Sequence, residues 1–501
     1  MTITELKTDL AEKIRAETGE NVFLCYQCVK CTSGCPLAEY FDLAPNQVMR
    51  AAQLGRDDLA LNSKTPWLCA GCQTCTTRCP QGIDVARVMD FMAQEAVARS
   101  IPPKVPEVAL FHKVFLRNVH ILGRAYELGL IAEMNLRTRQ PFKDVGMGLE
   151  MIRKGKVKLT PSFVRPPKRA KPVEPRPNRS ASLREAPPRG RADQIGYYPG
   201  CSLHSMASEY DHSIRAVAKT LDLELVEPEG WVCCGSSPAH RMDPHLAVEL
   251  PLKNMALLEQ MGLSEVTLPC AMCFNRFRVA LHDIESDPAL KAKMEAEVGH
   301  EFADAVAVRS LLDVLINRVG LDKIVSCVQK PLIGLKVACY YGCLLTRPPK
   351  VTHDPHPEYP EDMDHLMRAL GATPVDWGGK TTCCGASLSL TRTDIVLDLS
   401  ANILVDALAA GAEAIVVACP LCHANLDGRQ HQMALAPLPG LTAAPPASPG
   451  EVRRERGAGG EVPVFYLTQL MALAFGLGEK AAALSKNMVR PQPLLREKEI
   501  L

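Results

Sequence analysis

The twenty cysteines of this chain are its main candidates for chemistry, and eight of them form two copies of one short pattern. The pattern is C-x2-C-x2-C-x3-C-P, and its copies begin at Cys25 and Cys69. Three closely spaced thiolates can wrap one corner of a cubane [4Fe-4S] cluster, while the fourth, before proline, reaches across to the neighbouring cluster. The predicted ligand sets are Cys25, Cys28, Cys31 and Cys79 for one cluster, and Cys69, Cys72, Cys75 and Cys35 for the other.

A pair of zinc sites is the alternative for these eight residues, because C-x2-C units occur in zinc sites as well. Zinc ribbons pair two C-x2-C units, however, and do not use a triple that is followed by a fourth cysteine and a proline. The doubled pattern therefore favours iron–sulfur clusters over zinc.

Ten further cysteines form an internal repeat in the C-terminal part of the chain. One copy contains Cys201, Cys233, Cys234, Cys270 and Cys273, and the other contains Cys343, Cys383, Cys384, Cys419 and Cys422. Five thiolates per copy exceed the four that a cubane or a zinc site uses. Adjacent cysteines also cannot easily face one iron of a regular cube. The repeat thus favours an unusual, opened cluster, with a catalytic pair of vicinal thiols in each copy as the alternative. Cys327 and Cys339 lie outside both patterns and are predicted to be buried structural thiols.

Short β-branched runs and amphipathic stretches alternate around the repeated cysteines. Strands are predicted at 265–268, 335–338 and 414–417, and helices at 209–221, 246–261 and 395–410. This alternation is typical of a parallel α/β sheet with ligands at the carboxyl ends of its strands. The predicted class is α+β multidomain, with an α-helical dicluster ferredoxin domain followed by a duplicated α/β cysteine-rich (CCG) domain.

The predicted domain boundaries follow the cysteine groups. They are a two-cluster domain over 1–103, a helical extension over 104–160, a linker over 161–192, and cysteine-rich halves over 193–330 and 331–501, the second with a flexible loop over 434–461. Between Pro161 and Arg191 there are eight prolines, nine Lys or Arg and two acidic residues, so this linker is predicted to be an extended tether. A docking arm for an acidic partner is the alternative.

Composition limits the remaining possibilities. With 57 Lys plus Arg against 56 Asp plus Glu, the overall charge points to neither nucleic acid nor an anionic membrane surface. The N-terminus has no apolar stretch typical of a secretory signal, and the apolar run Val464–Leu477 is too short to span a bilayer. Twenty cysteines without such a signal favour a reducing compartment, so the chain is predicted to be cytoplasmic without a membrane span.

Beyond the cysteines, several segments resemble the B-type and C-type subunits of heterodisulfide reductase. YYPGCSLHSMASEYDHS, WVCCGSSPAH, LKVACYYGCLLTRPPK, KTTCCGASLSLTRTDIV and ACPLCHANLDGRQ are similar to the B type. CYQCVKCTSGCPLAEYFDLAPNQ and WLCAGCQTCTTRCPQGIDV are similar to the C type. The chain therefore looks like a fusion of a C-like part and a B-like part.

The resemblance implies that each cysteine-rich half binds a noncubane [4Fe-4S] cluster through its five cysteines. It also implies that a disulfide, from a small molecule or a protein, is reduced between the two noncubane clusters. The expected electron donor is a flavin-containing protein that resembles the A-type component of the same enzyme. This chain has no G-x-G-x-x-G and no P-loop, so neither flavin nor nucleotide is predicted on it.

Protons for that reaction need a carrier near the cysteines. His204, His240 and His423 lie close to them in the sequence and are candidates, because histidine titrates near neutral pH. Lys380 could balance thiolate charge or anchor an anionic substrate.

Two functional hypotheses follow. The first is the catalytic iron–sulfur subunit of a heterodisulfide reductase-like complex, which reduces a disulfide or oxidises thiols in the reverse direction. The alternative is a non-catalytic electron relay, like the cluster subunits of glycerol-3-phosphate, glycolate or lactate dehydrogenases. The full five-cysteine set in both halves favours the first hypothesis, but the sequence names neither the substrate nor the direction.

Overall fold

The computed structural model describes residues 9–164, 193–303, 305–435 and 461–501. Most of the predicted linker over 161–192 and of the predicted loop over 434–461 therefore lies outside the described residues. The remainder contains a helical N-terminal part followed by two parallel sheets with helices around them. The predicted α+β class is thus confirmed.

The N-terminal part consists of helices that surround the two cysteine runs. These helices are α1 Asp9–Thr18, α2 Lys30–Ser33, α3 Pro45–Gln53, α4 Asp57–Leu61, α5 Thr65–Leu68, α6 Thr74–Thr77 and α7 Val85–Ala98, with 3-10 turns at Val22–Leu24 and Ala38–Tyr40. Helix α7 begins after Asp84, whose carboxylate accepts a hydrogen bond from the backbone N–H of Arg87 at 3.0 Å. Its buried face, which includes Val88 and Met92, packs in one core with Leu10 and Ile14 of α1.

The helical extension contains three longer helices. They are α8 Pro106–Leu122, α9 Glu127–Arg137 and α10 Val145–Arg153. Helix α8 ends at Gly123, where the backbone turns into the left-handed region at φ 76°. Every helix in the described residues is too short or too polar to traverse a bilayer.

The C-terminal part contains two four-stranded sheets of the same design in the described residues. Their strands are β1 Gln194–Tyr197, β2 Glu224–Val226, β3 Glu265–Leu268, β4 Ala307–Ser310, β5 Lys336–Tyr340, β6 Thr373–Pro374, β7 Ala414–Val417 and β8 Val464–Tyr466. The first sheet has the order β2-β1-β3-β4 and the second β6-β5-β7-β8, with all pairs parallel. The identical order in both sheets is what a duplicated fold produces.

Helices connect the parallel strands and cover the sheets. In the first half they are α11 Gly200–Leu203, α12 Ser208–Thr220, α13 Ser236–Met242, α14 Pro244–Gln260, α15 Ala271–Ser286, α16 Pro288–Val298, α17 Leu311–Asp313 and α18 Leu321–Ser326, with a π-helical segment at Val314–Val319. In the second they are α19 Pro349–Thr352, α20 Asp362–Ala369, α21 Thr393–Ala409, α22 Pro420–Leu426, α23 Gln430–Leu435, α24 Leu467–Ala474, α25 Gly478–Ala482 and α26 Gln492–Glu497, with 3-10 turns at Ala386–Leu388 and Leu484–Lys486. The predicted helices 209–221, 246–261 and 395–410 correspond to α12, α14 and α21 within two residues at each end.

The N-terminal part packs directly on the cysteine-rich part. Val88 and Met89 of α7 share a core cluster with Ile395, Val396 and Leu399 of α21. Ionic contacts add to this interface, including Arg78 with Glu358 at 2.5 Å and Arg87 with Asp283 at 2.9 Å. The two parts therefore form one packed body rather than two separate ones.

Candidate functional site

The two dicluster runs follow the same backbone path. Gln27 and Gly71 occupy equivalent places between the first two cysteines of each run, and both have positive φ, 64° and 65°. Val29 and Gln73 follow the second cysteine and also have positive φ, 66° and 62°. A β-branched valine rarely adopts this conformation. Its presence here indicates that the surrounding structure imposes the turn, which brings the cysteines of each run to one side.

The second run forms a group of four thiols, of which Cys72 is buried and the others are partly covered. Cys35, Cys69, Cys72 and Cys75 line a small cavity of about 20 Å³ whose other walls are mostly apolar, including Leu37, Phe41 and Met89. Burial raises the pKa of Cys35, and nearby Cys72 and Cys69 reinforce that shift. Cys35 thus lies beside the cysteines of the second run, although Cys31 of its own run is also near enough to raise its pKa.

The first run lies nearer the surface. Cys28 is exposed and Cys31 is buried, while Cys25 and Cys79 are partly covered. Desolvation raises the pKa of the Tyr26 phenol, and the Cys28 and Cys79 thiols add to that shift, so Cys79 lies near this run. The assignment of Cys25, Cys28, Cys31 and Cys79 to one cluster stays a prediction.

The two cysteine-rich halves repeat each other in atomic detail. The hydroxyl of Tyr198 donates to the carbonyl oxygen of Val232 at 2.7 Å, and that of Tyr340 to Thr382 at 2.6 Å. Each acceptor immediately precedes a Cys-Cys-Gly element. These buried tyrosines hold the CCG loops against the ends of β1 and β5.

Two glycines leave room for the sulfur atoms. Gly200 and Gly342 have φ of 69° and 70°, and a Cβ added there would lie 2.9 Å from Cys273 Sγ or 3.0 Å from Cys422 Sγ. A side chain at either position would be strained and would crowd a thiol. Both glycines are therefore part of the cysteine sites.

The thiols of each half lie close together in the interior. Cys234 Sγ is 3.4 Å from Cys273 Sγ, and Cys384 Sγ is 3.7 Å from Cys422 Sγ. Hydrogen bonds from the Cys270 and Cys422 thiols hold the pKa of Cys419 well below its usual range. Buried sulfur groups of this kind are donors for soft metals and iron–sulfur clusters.

The two halves meet through their cysteines. The Cys270 thiol of the first half is hydrogen-bonded to the Cys419 thiol of the second. Burial raises the pKa of the Tyr210 phenol on α12, the nearby Cys419 and Cys270 thiols add to that shift, and its hydroxyl donates to the carbonyl oxygen of Ala418 at 3.3 Å. Its ring stacks on Tyr466 at 4.0 Å, which places an O–H group beside the junction of the halves.

The dicluster part reaches the second half at another cysteine contact. The thiols of Cys72 and Cys383 are hydrogen-bonded to each other. A small cavity of about 30 Å³ lies beside them, between Ala70 of the dicluster part, Met272 of the first half and residues of the second half. Its cysteine lining consists of Cys343, Cys383, Cys384, Cys419 and Cys422.

The helical extension covers the first half's cysteines. The backbone N–H of Ala125 donates to Cys201 Sγ at 3.3 Å, and the carbonyl oxygen of Gly123 accepts from the backbone N–H of Cys233 at 2.8 Å. Between them, the Arg124 guanidinium lies 3.6 Å from the centre of the Trp231 ring. The extension therefore covers Cys201 and Cys233 of the first half, whereas Cys72 of the dicluster part contacts Cys383 of the second.

The three histidines that were predicted as proton carriers lie in different surroundings. His204 Nε2 is 3.0 Å from a Glu227 oxygen, and His240 Nδ1 is 2.6 Å from an Asp90 oxygen, facing the dicluster part. His423 is buried against Tyr466, and burial holds its pKa well below the usual range. Their role in proton transfer stays a prediction.

Lys380 is held away from solvent by an acidic partner. Its ammonium lies 3.0 Å from an Asp364 oxygen and 3.1 Å from the carbonyl oxygen of Pro360. Both charged side chains are buried. The lysine charge is thus already balanced within the fold, and the predicted role toward thiolate or substrate remains untested.

Two arginines contribute to the site without having been predicted from the sequence. Buried Arg241 donates to the carbonyl oxygens of Pro66 and Cys69 and pairs with Asp90 at 3.0 Å. Buried Arg347 donates to Thr74 Oγ1 at 2.7 Å. Both follow cysteine elements closely in the sequence, which is the only signal that could have identified them.

The residues present fit iron–sulfur clusters better than single metal ions. The donors are all thiols, the two sequence patterns supply them in sets of four and five, and Gly200 and Gly342 leave space beside Cys273 and Cys422. The thiols are also free of disulfides, and all twenty lie in described residues.

Comparisons with known proteins agree with this arrangement. A 4Fe-4S dicluster domain model matches residues 24–84, and a cysteine-rich domain model (CCG) matches 195–278 and 337–427. The 8-methylmenaquinol:fumarate reductase membrane anchor subunit of Wolinella succinogenes is 32% identical over 59% of this chain and 97% of its own length.

Components of heterodisulfide reductases match both parts. The B component of the ferredoxin/F(420)H(2)-dependent CoB-CoM heterodisulfide reductase of Methanosarcina acetivorans is 27% identical over 59% of this chain and 94% of its own length. The C component of the H(2):CoB-CoM heterodisulfide,ferredoxin reductase of Methanothermobacter marburgensis is 32% identical over 18% of this chain. The chain spans about half of that component's length, 48%. The chain therefore belongs to the family of CCG-domain iron–sulfur proteins that includes the B component of heterodisulfide reductase, and it carries a dicluster part like that of the C component in the same polypeptide.

Proposed function

We propose that this chain is the iron–sulfur subunit of a heterodisulfide reductase-like complex that reduces a disulfide, or oxidises two thiols in the reverse direction. The observation that carries the proposal is the continuity of thiol contacts. Cys72 of the dicluster part contacts Cys383 of the second cysteine-rich half. In that second half, Cys419 contacts Cys270 of the first half.

Two cubane clusters in the dicluster part and two noncubane clusters in the cysteine-rich halves are the proposed cofactors. Their ligands would be the eighteen cysteines of the two patterns. When bound, the clusters would supply electrons one at a time, and a disulfide needs two electrons and two protons to become two thiols.

The chain's own residues would shape the reaction space. Ala271, Met272 and Leu344 would give the small cavity beside Cys383 an apolar wall, which excludes water around the cysteines. The Tyr210 hydroxyl, which donates to the carbonyl oxygen of Ala418, would keep a polar group beside the sulfurs at the junction of the halves. A flavin-containing partner that resembles the A-type component would dock near exposed Cys28.

The test separates electron entry from the reaction itself. Cys28→Ser should impair the first dicluster site and slow reduction driven by the natural donor. A low-molecular-weight reducing dye that reaches the other sites directly should still support disulfide reduction in that variant. Cys384→Ser should abolish activity with either donor, while Cys327→Ser, a half-buried cysteine outside both patterns, should behave like the wild type.

Dye-driven disulfide reduction that persists in Cys384→Ser but is lost in Cys28→Ser would contradict the catalytic role of the cysteine-rich halves. Iron content and visible absorbance of each variant, measured without oxygen, would show which site each substitution removed.

A second candidate is an electron relay that serves a quinol-linked enzyme without reducing a disulfide. The relative from Wolinella favours it, because that protein is named as part of an 8-methylmenaquinol:fumarate reductase and matches over almost its whole length. Reduced wild-type protein can distinguish the two. Reoxidation by a menaquinone analogue, with no reaction toward any disulfide offered, would favour the relay.

A further inference from the structure

Arg347 lies where the dicluster part meets the second cysteine-rich half. Its side chain is buried, and its guanidinium donates from Nη1 to Thr74 Oγ1 at 2.7 Å. Nη1 also donates to the carbonyl oxygen of Thr381 at 3.1 Å, and Nη2 donates to Thr381 Oγ1 at 2.6 Å. Thr381 precedes Cys383 by two residues. One buried cation therefore holds α6 of the dicluster part against the segment that leads into the second CCG element.

Thr74 also contacts a predicted cluster ligand. Its hydroxyl oxygen is 3.4 Å from Cys72 Sγ, and it lines the cavity that the cysteines of the second run line. A hydroxyl has one hydrogen to donate and can accept at the same oxygen. Because the N–H of Arg347 occupies an acceptor position, the hydrogen of Thr74 is free to point at the sulfur. A thiolate that ligates iron carries no hydrogen, so in the cluster-loaded protein the hydroxyl is the donor.

The positive charge of Arg347 is only partly balanced by a carboxylate. One oxygen of Glu358 lies 3.6 Å from Arg347 Nη2, and the same oxygen pairs with Arg78 at 2.5 Å. Glu358 is 40% exposed, so water screens this pair more than it screens the buried contact at Thr74. A hydroxyl that accepts from a cation is polarised and becomes a stronger hydrogen-bond donor. The arrangement therefore strengthens the hydrogen bond from Thr74 to the Cys72 sulfur.

The two cysteine runs differ at this position. Thr74 is the second residue after Cys72. The equivalent position after Cys28 holds Lys30, and both of those residues are exposed. Of the two equivalent positions, only the one that faces the second half has a hydroxyl. The hydrogen-bonded series from Arg347 through Thr74 to Cys72 is therefore a property of the second run and not of the shared pattern.

We propose that Arg347, acting through the hydroxyl of Thr74, raises the reduction potential of the cluster that the second cysteine run would hold. Reduction adds one negative charge to a cluster, and a hydrogen bond to a ligating sulfur stabilises the reduced form. Arg347 is thus a positioning residue. The higher potential favours the passage of one electron to this site, which is reduced, from the exposed site of the first run, which is oxidised. The inference rests on the clusters of the proposed function, but not on which reaction the cysteine-rich halves perform.

Midpoint potentials of the full-length, cluster-loaded protein test the inference, measured in a redox titration that is followed by electron paramagnetic resonance. Thr74→Val removes the hydroxyl and nearly keeps the side-chain volume, so one of the two dicluster potentials should become more negative. The expected shift changes the ratio of reduced to oxidised cluster about tenfold at a fixed potential, which is about 59 mV for one electron. The other dicluster potential should stay unchanged. Thr74→Ser keeps the hydroxyl and should have the wild-type potentials.

Arg347→Gln tests whether the arginine acts through the threonine. It should lower the same potential as Thr74→Val, because the hydroxyl then accepts from a neutral group or from none. If the two residues act in series, the double variant should show less than the sum of the two single shifts. The Thr74 variants are informative even if Arg347→Gln does not fold, since Arg347 Nη1 keeps the carbonyl oxygen of Thr381 as an acceptor in them.

Thr77→Val is the matched control, because Thr77 lies on the same helix but donates to the carbonyl oxygen of Gln73 at 2.9 Å. It should leave both dicluster potentials unchanged, and iron analysis should show full occupancy in every variant. Unchanged potentials in Thr74→Val with all iron present, equal shifts in Thr74→Val and Thr77→Val, or additive shifts in the double variant would overturn this inference and leave the proposed function standing. Wild-type protein without iron at the second run would overturn the inference together with the proposed cofactors.

Discussion

The thiol of Cys72, in the dicluster part, is hydrogen-bonded to the thiol of Cys383, in the second cysteine-rich half. This contact raises the pKa of Cys72 well above its usual range. The equivalent residue of the first half, Cys233, is hydrogen-bonded to Cys201 and Cys234 of its own half. Cys201 in turn accepts from the Ala125 backbone in the helical extension. The dicluster part therefore adjoins the second half through a thiol contact, and the duplicated structure is asymmetric in what covers its cysteines.

Filling the space beside the Cys422 thiol with a methyl group should cause the loss of one iron–sulfur cluster. Gly342→Ala places a Cβ 3.0 Å from Cys422 Sγ in a left-handed backbone, so we expect the loss of about four of about sixteen irons per chain. Iron analysis of anaerobically purified protein is the measurement. Zinc in place of iron in the wild type would contradict the cluster assignment itself.

Gly334→Ala is the matched control for that substitution. Gly334 also has a positive φ, 80°, but an added Cβ there meets no atom of the described residues within 4 Å. The variant should bear the backbone strain, roughly 1 kcal/mol, and keep all its iron. Equal iron loss in both variants would show that strain, and not crowding of the sulfur, is responsible.

The loop between α8 and α9 should protect the first half's cysteines from oxygen. Arg124→Ala removes the guanidinium that lies on Trp231 and donates to its carbonyl oxygen at 3.0 Å. We expect faster bleaching of cluster absorbance in air, with the dicluster signals unaffected. Arg117→Ala, an exposed arginine on α8 paired with Glu133, is the control and should bleach at the wild-type rate. Identical rates in both variants would mean that the loop does not shield the site.

Asp427 should make the protein less stable as pH rises toward neutrality. Burial raises the pKa of this carboxyl to about 7, although nearby Lys156 and the backbone amides of Met488 and Val489 oppose the shift. An unfolded chain ionises an aspartate near pH 4. The folded state therefore holds the extra proton between about pH 4 and pH 7, and the free energy of unfolding falls there by up to about 1.4 kcal/mol per pH unit.

Two other titratable groups lie near Asp427, so the test compares the wild type with a variant that changes only this carboxyl. Glu209 also raises its pKa, and His423 Nδ1 lies 3.9 Å from Asp427 Oδ2. Thermal unfolding of wild type and Asp427→Asn should be compared between pH 5 and pH 8. The free energy of unfolding of Asp427→Asn, relative to that of the wild type, should increase up to about pH 7 and then stay constant. A difference that does not change with pH would contradict the raised pKa.

Cleavage in the basic, proline-rich segment should not separate the two parts of the chain. Trypsin is expected to cut between Pro161 and Arg191, where nine Lys or Arg are concentrated. The fragments should stay together on size exclusion, because Ile395 and Val396 share a core with Val88 and Arg241 is buried against Pro66 and Cys69. Elution as two separate species would show that the interface does not hold without the connection.

Local spacing was sufficient to predict the cysteine groups and much of the secondary structure. The crossed placement of Cys35 and Cys79 follows from a loop geometry that a few neighbouring residues dictate, and β3 and β7 are visible as β-branched runs before Cys270 and Cys419. The side-chain partners were not predictable in this way. Lys380 follows no local rule that would reveal Asp364 as its partner, since that contact depends on how α20 packs.

Residue spacing alone predicts eighteen cysteines in two patterns, a duplicated α/β design and a resemblance to heterodisulfide reductases. The partners of those cysteines are visible only in the folded chain. The contact of Cys72 with Cys383, that of Cys201 with Ala125 and that of Arg347 with Thr74 all join residues distant in the chain. Such relationships arise from packing between elements, which residue spacing along one element does not encode.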